Sequence, residues 1–180
     1  GEVETYTGVP LTGPAGKMHW RIMKEVGLTK QNFGHDNVAA CYPGKRPDGK
    51  GDQKPTIKEM MCCFPRLKTY IHTARPKLIV ALGEEAMWSL TRLNGISSQR
   101  GRIVDLIEDF QYDCKVLIAF HPSYVMRSRQ WIPIQATIYN TIHDFFGKGI
   151  PEEAEPTLIL DPPAEDLERF LDTKIGRAHV

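Results

Sequence analysis

The chain has 180 residues, 41% of them hydrophobic, which is enough to bury one substantial core and predicts a single main domain. It contains no apolar run of about eighteen residues and no basic-then-apolar leader, so the sequence predicts neither a membrane span nor secretion. The formal net charge is +1, but the charges are unevenly distributed. Residues 1–149 form a basic body with 20 basic and 14 acidic side chains, and residues 150–180 form an acidic tail with 3 basic and 8 acidic side chains. This balance is compatible with a polyanionic partner and is also common in neutral enzymes.

The first half of the chain is predicted to contain two helices and one strand. The opening "GEVETYTGVPLTGPAGK" is typical of a loop, and helical spacing of apolar residues begins near Ala15. A short strand is expected around "DNVAACYP". After a polar loop, Thr56 and Glu59 form a capping-box signature for a second helix, in which Pro65 predicts a kink or a division into two short helices.

The second half alternates strands with helices. "PKLIVALG" is predicted to be a strand buried on both faces, and "EEAMWSLTRL" the helix after it. "GRIVDLI" and "CKVLIAF" are two further strands, joined by an acidic turn, and an amphipathic helix closes the body. This order predicts an α/β fold with a mainly parallel sheet covered on both faces. Functional groups then gather beyond the carboxyl ends of the strands, where Asn37, Cys41 and His121 are expected.

The character of the chain changes from residue 150. Residues 150–173 are acidic and punctuated by proline, which predicts a linker or the start of a following domain. Residues 174–180, "KIGRAHV", match the translation of a common sequencing-library adapter, so we interpret them as a read-through artefact and exclude them from reasoning about the fold.

A core strand that ends on an ionisable residue is the most informative motif. In "LIAFHPSYVMR" the strand runs into His121, and Pro122 restricts the backbone of that histidine to extended geometry, which fixes where the imidazole points. Ser123 follows, and Arg127 adds a cation four residues later. The residues alone leave two interpretations open: a strand-end histidine with a helix cap and a solvated arginine, or a site that holds an anionic ligand.

Two other ligand classes are less well supported. "GPAGK" suggests a phosphate-binding loop, but that motif requires glycine at the position of Leu11 and a hydroxyl at the position of Met18, so nucleotide hydrolysis is not predicted. An unrelated doubly wound domain for a small molecule remains open, and it predicts no salt-dependent binding to DNA.

Three separated segments resemble the uracil-DNA glycosylase superfamily, in particular its iron–sulfur-containing family 4. "GEVETYTGVPLTGPAGK" is similar to the end of the family's Gly-Glu-Ala-Pro-Gly loop and the Gly-x-Pro-Phe-x-Gly-x-Ala-Gly stretch after it. "DNVAACYP" with "KPTIKEMMCCFPRL" resembles Thr-Asn-x-x-Lys-Cys-x-Pro and Pro-Thr-x-x-Glu-x-x-x-Cys-x-Pro-x-Leu, and "FHPSYVMR" resembles His-Pro-Ser-x-x-x-Arg. The resemblance implies that residues 1–149 form a three-layer α/β/α domain that lacks the family's first strand.

The resemblance also implies a reaction, the hydrolysis of the N-glycosidic bond of a flipped deoxyuridine in DNA. In this reaction His121 stabilises the departing uracil anion. Asn37 reads the base, because a carboxamide can accept from uracil N3–H and donate to O4 at once. Leu11 packs on the base, and Gly8 and Pro10 line the same pocket.

Contacts with the DNA strand are implied for the residues around the end of the motif. Ser123 and Arg127, with Pro122, are expected to hold the phosphate backbone of uracil-containing DNA. The residues between them, Tyr124 to Met126, are expected to wedge into the base stack as the nucleotide is extruded.

The four cysteines include an adjacent pair, Cys62 and Cys63, which is a poor disulfide framework, so a reduced, cytoplasmic setting in a bacterial cell or a phage-infected host is expected. The resemblance implies that Cys41 and Cys63 are two of the four thiolates of a structural [4Fe–4S] cluster, with the other two upstream of residue 1. The cluster is therefore expected only in a longer parent protein. Cys114 is expected in the core.

Departures from the family pattern favour a second hypothesis. The family's stacking phenylalanine is Leu11, its Glu-Asp pair is Glu4 and Thr5, and most of the loop that holds the attacking water precedes Gly1. The tail "TLILDPPAEDLERFLDT" resembles the start of the proofreading exonuclease of phage-type family A DNA polymerases. The alternative is therefore a catalytically weak uracil- or DNA-binding module fused to such a polymerase.

Overall fold

A computed structural model describes residues 11–49, 51–147 and 157–159 of the chain. Short 3₁₀ turns precede two of the strands, at Lys30–Asn32 and Glu108–Phe110. The regular elements of the described residues are α1 (Pro14–Glu25), β1 (Phe33–His35), α2 (Ile57–Ala74), β2 (Leu78–Leu82), α3 (Glu84–Thr91), α4 (Ile96–Gln99), β3 (Ile103–Asp105), β4 (Lys115–Ala119), α5 (Pro122–Arg127), α6 (Trp131–Phe146) and β5 (Thr157–Ile159).

The strands form one sheet in the order β1-β5-β2-β4-β3. β1, β5, β2 and β4 are mutually parallel, and β3 pairs antiparallel with β4 at the edge. The carboxyl ends of β1, β2 and β4 therefore lie along the same edge of the sheet, which is the edge where α/β proteins place their functional groups.

Helices cover both faces of this sheet. Successive residues of a strand point to opposite faces, so neighbouring residues of one strand pack against different helices. On β2, Val80 packs with α1, α5 and α6, whereas its neighbours Ile79 and Ala81 pack with α2 and α3. All five residues of β2 are buried. The predicted three-layer α/β/α fold with a mainly parallel sheet is confirmed.

Local sequence explains the start of α2. The Thr56 hydroxyl accepts from the Glu59 amide at 3.3 Å, and the Glu59 carboxylate accepts from the Thr56 amide at 2.6 Å. This reciprocal pair confirms the predicted capping box. The predicted division of this segment into two short helices is wrong, because one helix of 18 residues runs through Pro65. Leu67 and Ile71 beyond the proline are buried in the core, and their burial offsets the cost of a proline inside a helix, which is about 3 kcal/mol.

The strand expected around "DNVAACYP" lies a few residues earlier. β1 is Phe33–His35, and residues 36–44 are irregular, so Asn37 lies just beyond the end of the strand and Cys41 lies six residues past it. The polar ring of His35 is buried here, in a position that apolar periodicity does not identify.

Several predictions fall on residues outside the described ranges, including residues 174–180 and most of the predicted linker 150–173. Within that linker, Thr157–Ile159 forms β5, which pairs with β1 and with β2 in the middle of the sheet. The predicted domain boundary after residue 149 stays a prediction. In the part of the chain that the structure describes, no helix combines the length and the apolar character needed to cross a bilayer.

Candidate functional site

The two residues predicted to contact the base lie at the same edge of the sheet. Asn37 follows β1 by two residues and His121 follows β4 by two residues, and the two strands run parallel with β5 and β2 between them. His19 of α1 lies near both ends: burial, together with its proximity to His35 and to His121, lowers its pKa to about 3. The cleft predicted for a pyrimidine would therefore lie across the carboxyl edge of the sheet.

His121 is the N-cap of α5. Its Nδ1 accepts from the Ser123 amide at 3.1 Å and lies 2.7 Å from the Ser123 hydroxyl. An amide can only donate, so Nδ1 must carry a lone pair, and in the neutral ring the proton is on Nε2. The structure therefore fixes the tautomer that presents Nε2–H as a donor.

The His121 side chain is exposed, although neighbouring protein atoms displace part of the water around its ring. The resulting loss of solvation lowers the pKa of the imidazole below its ordinary value. The Glu85 carboxylate opposes this shift, while the charges of Arg127 and Lys54 add to it. Lys54 pairs with Glu85 at 2.6 Å, which partly compensates the opposing carboxylate. Because the pKa of His121 is lowered from 6.5, its imidazole is mainly neutral at pH 7.

Gly83, directly after β2, lets His121 approach the sheet. Its amide donates to the Ala119 carbonyl at 2.9 Å, and its φ of +92° lies in the region that favours glycine. A Cβ on Gly83 would lie 2.9 Å from the Cβ of His121. Gly83 was missed by sequence reasoning, although a glycine at the end of a buried strand is a signal for close approach.

Asn37 is held through its main chain. Its amide donates to Asp36 Oδ1 at 2.7 Å, and its carbonyl accepts from the Arg66 guanidinium. Within the described residues these are its hydrogen bonds, so the carboxamide is not tied to the protein. The same Arg66 pairs with both oxygens of the fully buried Asp36, at 2.5 and 2.6 Å.

The Asp36–Arg66 pair was missed by sequence reasoning, because the two residues are 30 positions apart. Burial raises the pKa of Asp36 to about 6, against the opposing charge and hydrogen bond of Arg66. The pair fixes the backbone of Asn37 from two sides, so Asp36 and Arg66 act on the site through Asn37.

Leu11 lies in the loop before α1 and is 6% exposed. Its φ of +53° is unusual for a residue with a branched side chain, and a Cβ on Gly16 would lie 2.0 Å from its carbonyl oxygen. Gly16 therefore allows the loop to fold back onto α1. The other two residues predicted to line this pocket, Gly8 and Pro10, lie outside the described residues.

The surface beside His121 combines aromatic and basic side chains. Tyr124 and Met126 of α5 are 40% and 42% exposed, whereas Val125 is fully buried, so only the first two can reach a base stack. The Tyr124 ring packs against Trp131, with ring centroids 5.8 Å apart. Arg127 at the end of α5 is exposed.

The loop that carries Cys41, one of the two cysteines predicted as cluster ligands, contacts Cys63, which is the other. The amide of Ala40, next to Cys41, donates to the Cys63 sulfur at 3.4 Å. N–H···S hydrogen bonds of this kind surround thiolate ligands of iron–sulfur clusters, so the surroundings of Cys63 are compatible with the predicted role. In the part of the chain that is described, no three potential ligands form a metal site. Cys114 is buried, as predicted for a core residue.

An α/β/α domain with a neutral histidine donor and an aromatic, basic helix at the carboxyl edge of its sheet suits a protein that acts on nucleic-acid bases. The model of the uracil DNA glycosylase superfamily matches residues 1–141 of the chain. The chain belongs to this superfamily, whose function is DNA repair.

Type-4 uracil-DNA glycosylases are among the relatives. That of Thermotoga maritima is 31% identical over 131 residues, which cover 72% of this chain and 63% of the relative. That of Archaeoglobus fulgidus is 27% identical over 156 residues, which cover 84% of this chain and 75% of the relative. The chain thus spans slightly under two thirds of the Thermotoga protein. These relatives give no support to the predicted fusion with a DNA polymerase.

Proposed function

We propose that the protein removes uracil from DNA by hydrolysing the N-glycosidic bond of a flipped deoxyuridine. The observation that carries the proposal is the state of His121: a neutral imidazole whose Nδ1 is engaged by Ser123 and whose Nε2–H has no hydrogen-bond partner among the residues that the structure describes. A neutral donor fixed in place is what a leaving uracil anion requires.

In the proposed reaction the bond between C1′ of the deoxyribose and N1 of uracil breaks, and its electron pair stays on the base. Water adds to C1′ and releases a proton, and the uracil anion takes up a proton as it leaves. The negative charge that develops on the uracil carbonyl accepts a hydrogen bond from His121 Nε2. Because this donor is already oriented, it needs no reorganisation in the transition state.

Asn37 is proposed to select uracil. Its main chain is fixed by Asp36 and Arg66, so the carboxamide can be presented in one place. It accepts from N3–H and donates to O4 of uracil, whereas cytosine presents the opposite pattern, so rejection of cytosine requires that the carboxamide is held in this orientation when the base is bound. Leu11 is proposed to supply an apolar wall for the base, with less stacking energy than an aromatic ring would give.

The strand of DNA is proposed to lie along α5. Arg127 supplies a charge for a phosphate, and Tyr124 and Met126 are placed to enter the gap left by the extruded nucleotide. The Ser123 hydroxyl is engaged with His121 Nδ1, so its first role is to orient that ring. It would contact a phosphate only after its proton turns away from the imidazole, and Pro122 shapes the turn between them.

Cys41 and Cys63 are proposed to hold two corners of a [4Fe–4S] cluster. Such a cluster would be structural and would supply no step of the hydrolysis. Cys63 lies on α2 and Cys41 in the loop after β1, so the group would join that loop to the helix and support the segment that carries Asn37.

The test is an excision assay on an oligonucleotide with one deoxyuridine, in single- and double-stranded form. We expect abasic product from the wild type and a single-turnover rate about 100- to 1,000-fold lower for His121→Ala, the usual effect of losing an oxyanion donor. His72→Ala is the matched control, because His72 binds the Phe110 carbonyl on the far side of α2. Absence of abasic product from the wild type would exclude catalysis and leave a DNA-binding module.

A further inference from the structure

A buried polar side chain holds the backbone directly before His121. Gln135 of α6 is 1% exposed, and its carboxamide makes two hydrogen bonds to Phe120. Its Oε1 accepts from the Phe120 amide at 3.2 Å, and its Nε2 donates to the Phe120 carbonyl at 3.1 Å. Phe120 lies one residue past the last paired residue of β4, so Gln135 continues the backbone pairing where the sheet ends.

Gln135 is itself held by a buried chain of hydrogen bonds. Its Nε2 donates to the Tyr139 hydroxyl at 2.7 Å, and that hydroxyl lies 2.8 Å from His19 Nδ1. Because the hydroxyl oxygen accepts from Gln135, its proton is directed to His19 Nδ1. Tyr139 is 0% exposed and His19 is 1% exposed, so water does not compete for these bonds.

This chain of hydrogen bonds does not change with pH around neutrality. Burial lowers the pKa of His19 to about 3 and raises the pKa of Tyr139 above its ordinary value. The amide of Gln135 does not titrate. All three groups are therefore neutral at pH 7, and the geometry that they impose on Phe120 is constant there.

We propose that Gln135, anchored by Tyr139 and His19, is a positioning residue that sets the place of the His121 imidazole in uracil excision. The inference rests on the proposed function. The opposite side of this backbone is fixed by Gly83, whose amide binds the Ala119 carbonyl and whose missing side chain leaves room for His121. The end of β4 is thus held from α6 on one side and from β2 on the other.

Positioning of this kind matters for rate more than for binding. Displacement of a catalytic group by about 1 Å costs on the order of 100-fold in rate. Contacts with the DNA strand along α5 do not involve Gln135, because its carboxamide is enclosed in the core. Loss of Gln135 should therefore reduce the excision step and leave the dissociation constant for DNA unchanged.

The test compares Gln135→Met with Ile138→Val in the same protein. Methionine keeps the length of the side chain and removes its hydrogen bonds, and Ile138 is a buried residue of the same helix whose shortening is a matched change in packing. We expect Gln135→Met to lower the single-turnover rate by about 10- to 100-fold, with the dissociation constant for DNA within about two-fold of the wild-type value. Ile138→Val should keep the wild-type rate.

Nuclear magnetic resonance supplies a readout that needs no activity. The ring nitrogens of His121 should report protonation on Nε2 in all three proteins, because Ser123 sets the tautomer, and their chemical shifts should match the wild type in Ile138→Val and move in Gln135→Met, where the ring is displaced. If Gln135→Met does not fold, Gln135→Glu replaces it: the ionised carboxylate can accept from the Phe120 amide but cannot donate to the Phe120 carbonyl, and only the protonated carboxyl can do both. Its excision rate should recover toward that of the wild type as the pH is lowered.

The outcomes separate the two proposals. The role of Gln135 would be overturned by a rate and His121 signals that are the same in Gln135→Met as in Ile138→Val. It would also be overturned if the rate of Gln135→Glu, divided by the wild-type rate at the same pH, does not rise as the pH is lowered. A wild type that excises no uracil would remove the proposed function, and the nitrogen signals of His121 would still decide whether Gln135 positions the ring.

Discussion

Replacing His19 by glutamine should make the protein less sensitive to acid. Burial lowers the pKa of His19 from 6.5 to about 3, so the folded protein keeps this ring neutral while the unfolded chain protonates it below pH 6.5. The free energy of unfolding therefore carries no penalty from His19 above pH 6.5, and it decreases as the pH falls from 6.5 toward 3. pH 5 lies 1.5 units below the pKa of 6.5 in the unfolded chain. At about 1.4 kcal/mol per unit, the free energy of unfolding at pH 5 is lower by about 2 kcal/mol than at neutral pH.

The measurement is urea unfolding at pH 7 and at pH 5. In His19→Gln the carboxamide oxygen can still accept from the Tyr139 hydroxyl, but the side chain no longer takes up a proton. The fall in unfolding free energy between the two pH values should therefore be about 2 kcal/mol smaller than in the wild type. Contributions of His35, whose pKa is also lowered to about 3, and of Asp36 act in both proteins and cancel in the comparison. Equal pH dependence in the two proteins would show that His19 is not kept neutral by burial.

Three further substitutions test other parts of the site. Gly83→Ala places a Cβ against the Cβ of His121 at a positive φ. We expect the free energy of unfolding in urea to fall by about 1–2 kcal/mol and the excision rate to fall as well. An unchanged rate would contradict the close packing of these two residues. Arg66→Met leaves the Asp36 carboxyl buried without its partner and should cost about 3–5 kcal/mol at pH 7, with a smaller loss below pH 6, where that carboxyl takes up a proton. Arg127→Ala should weaken DNA binding and reduce the slope of log affinity against log salt by about one, whereas an unchanged slope would place the phosphate contact elsewhere.

Sequence alone predicted the elements whose signals are local. The apolar run of β2 and the reciprocal cap of Thr56 and Glu59 involve only neighbouring residues, so no knowledge of the tertiary structure was needed. β1 was misplaced because Phe33–His35 is short and includes a buried histidine, whose burial depends on contact with Trp20 of α1, with ring centroids 4.9 Å apart. The helix through Pro65 was misjudged because burial of residues beyond the proline outweighs its local effect.

The candidate site was predicted in part for the same reason. His121, Ser123 and Pro122 form one local motif, and the structure shows how the first two contact each other. The supports of the site come from distant parts of the chain: Arg66 reaches Asp36 across 30 positions, and Gln135 looks like an ordinary polar residue of a helix until the core that encloses it is known. Their roles depend on tertiary contacts that spacing in one sequence does not encode.

The imidazole of His121 caps a helix with one nitrogen, and its other nitrogen is the proposed donor to the ligand. A proton added to Nδ1 in acid would break the hydrogen bond from the Ser123 amide. Protonation of the ring and loss of the cap at the start of α5 are therefore linked equilibria. A side chain that replaces His121 must meet two independent requirements. It must accept a hydrogen bond from the Ser123 amide, and it must donate one to the ligand. Few side chains meet both, and tolerance to mutation at residue 121 should be correspondingly narrow.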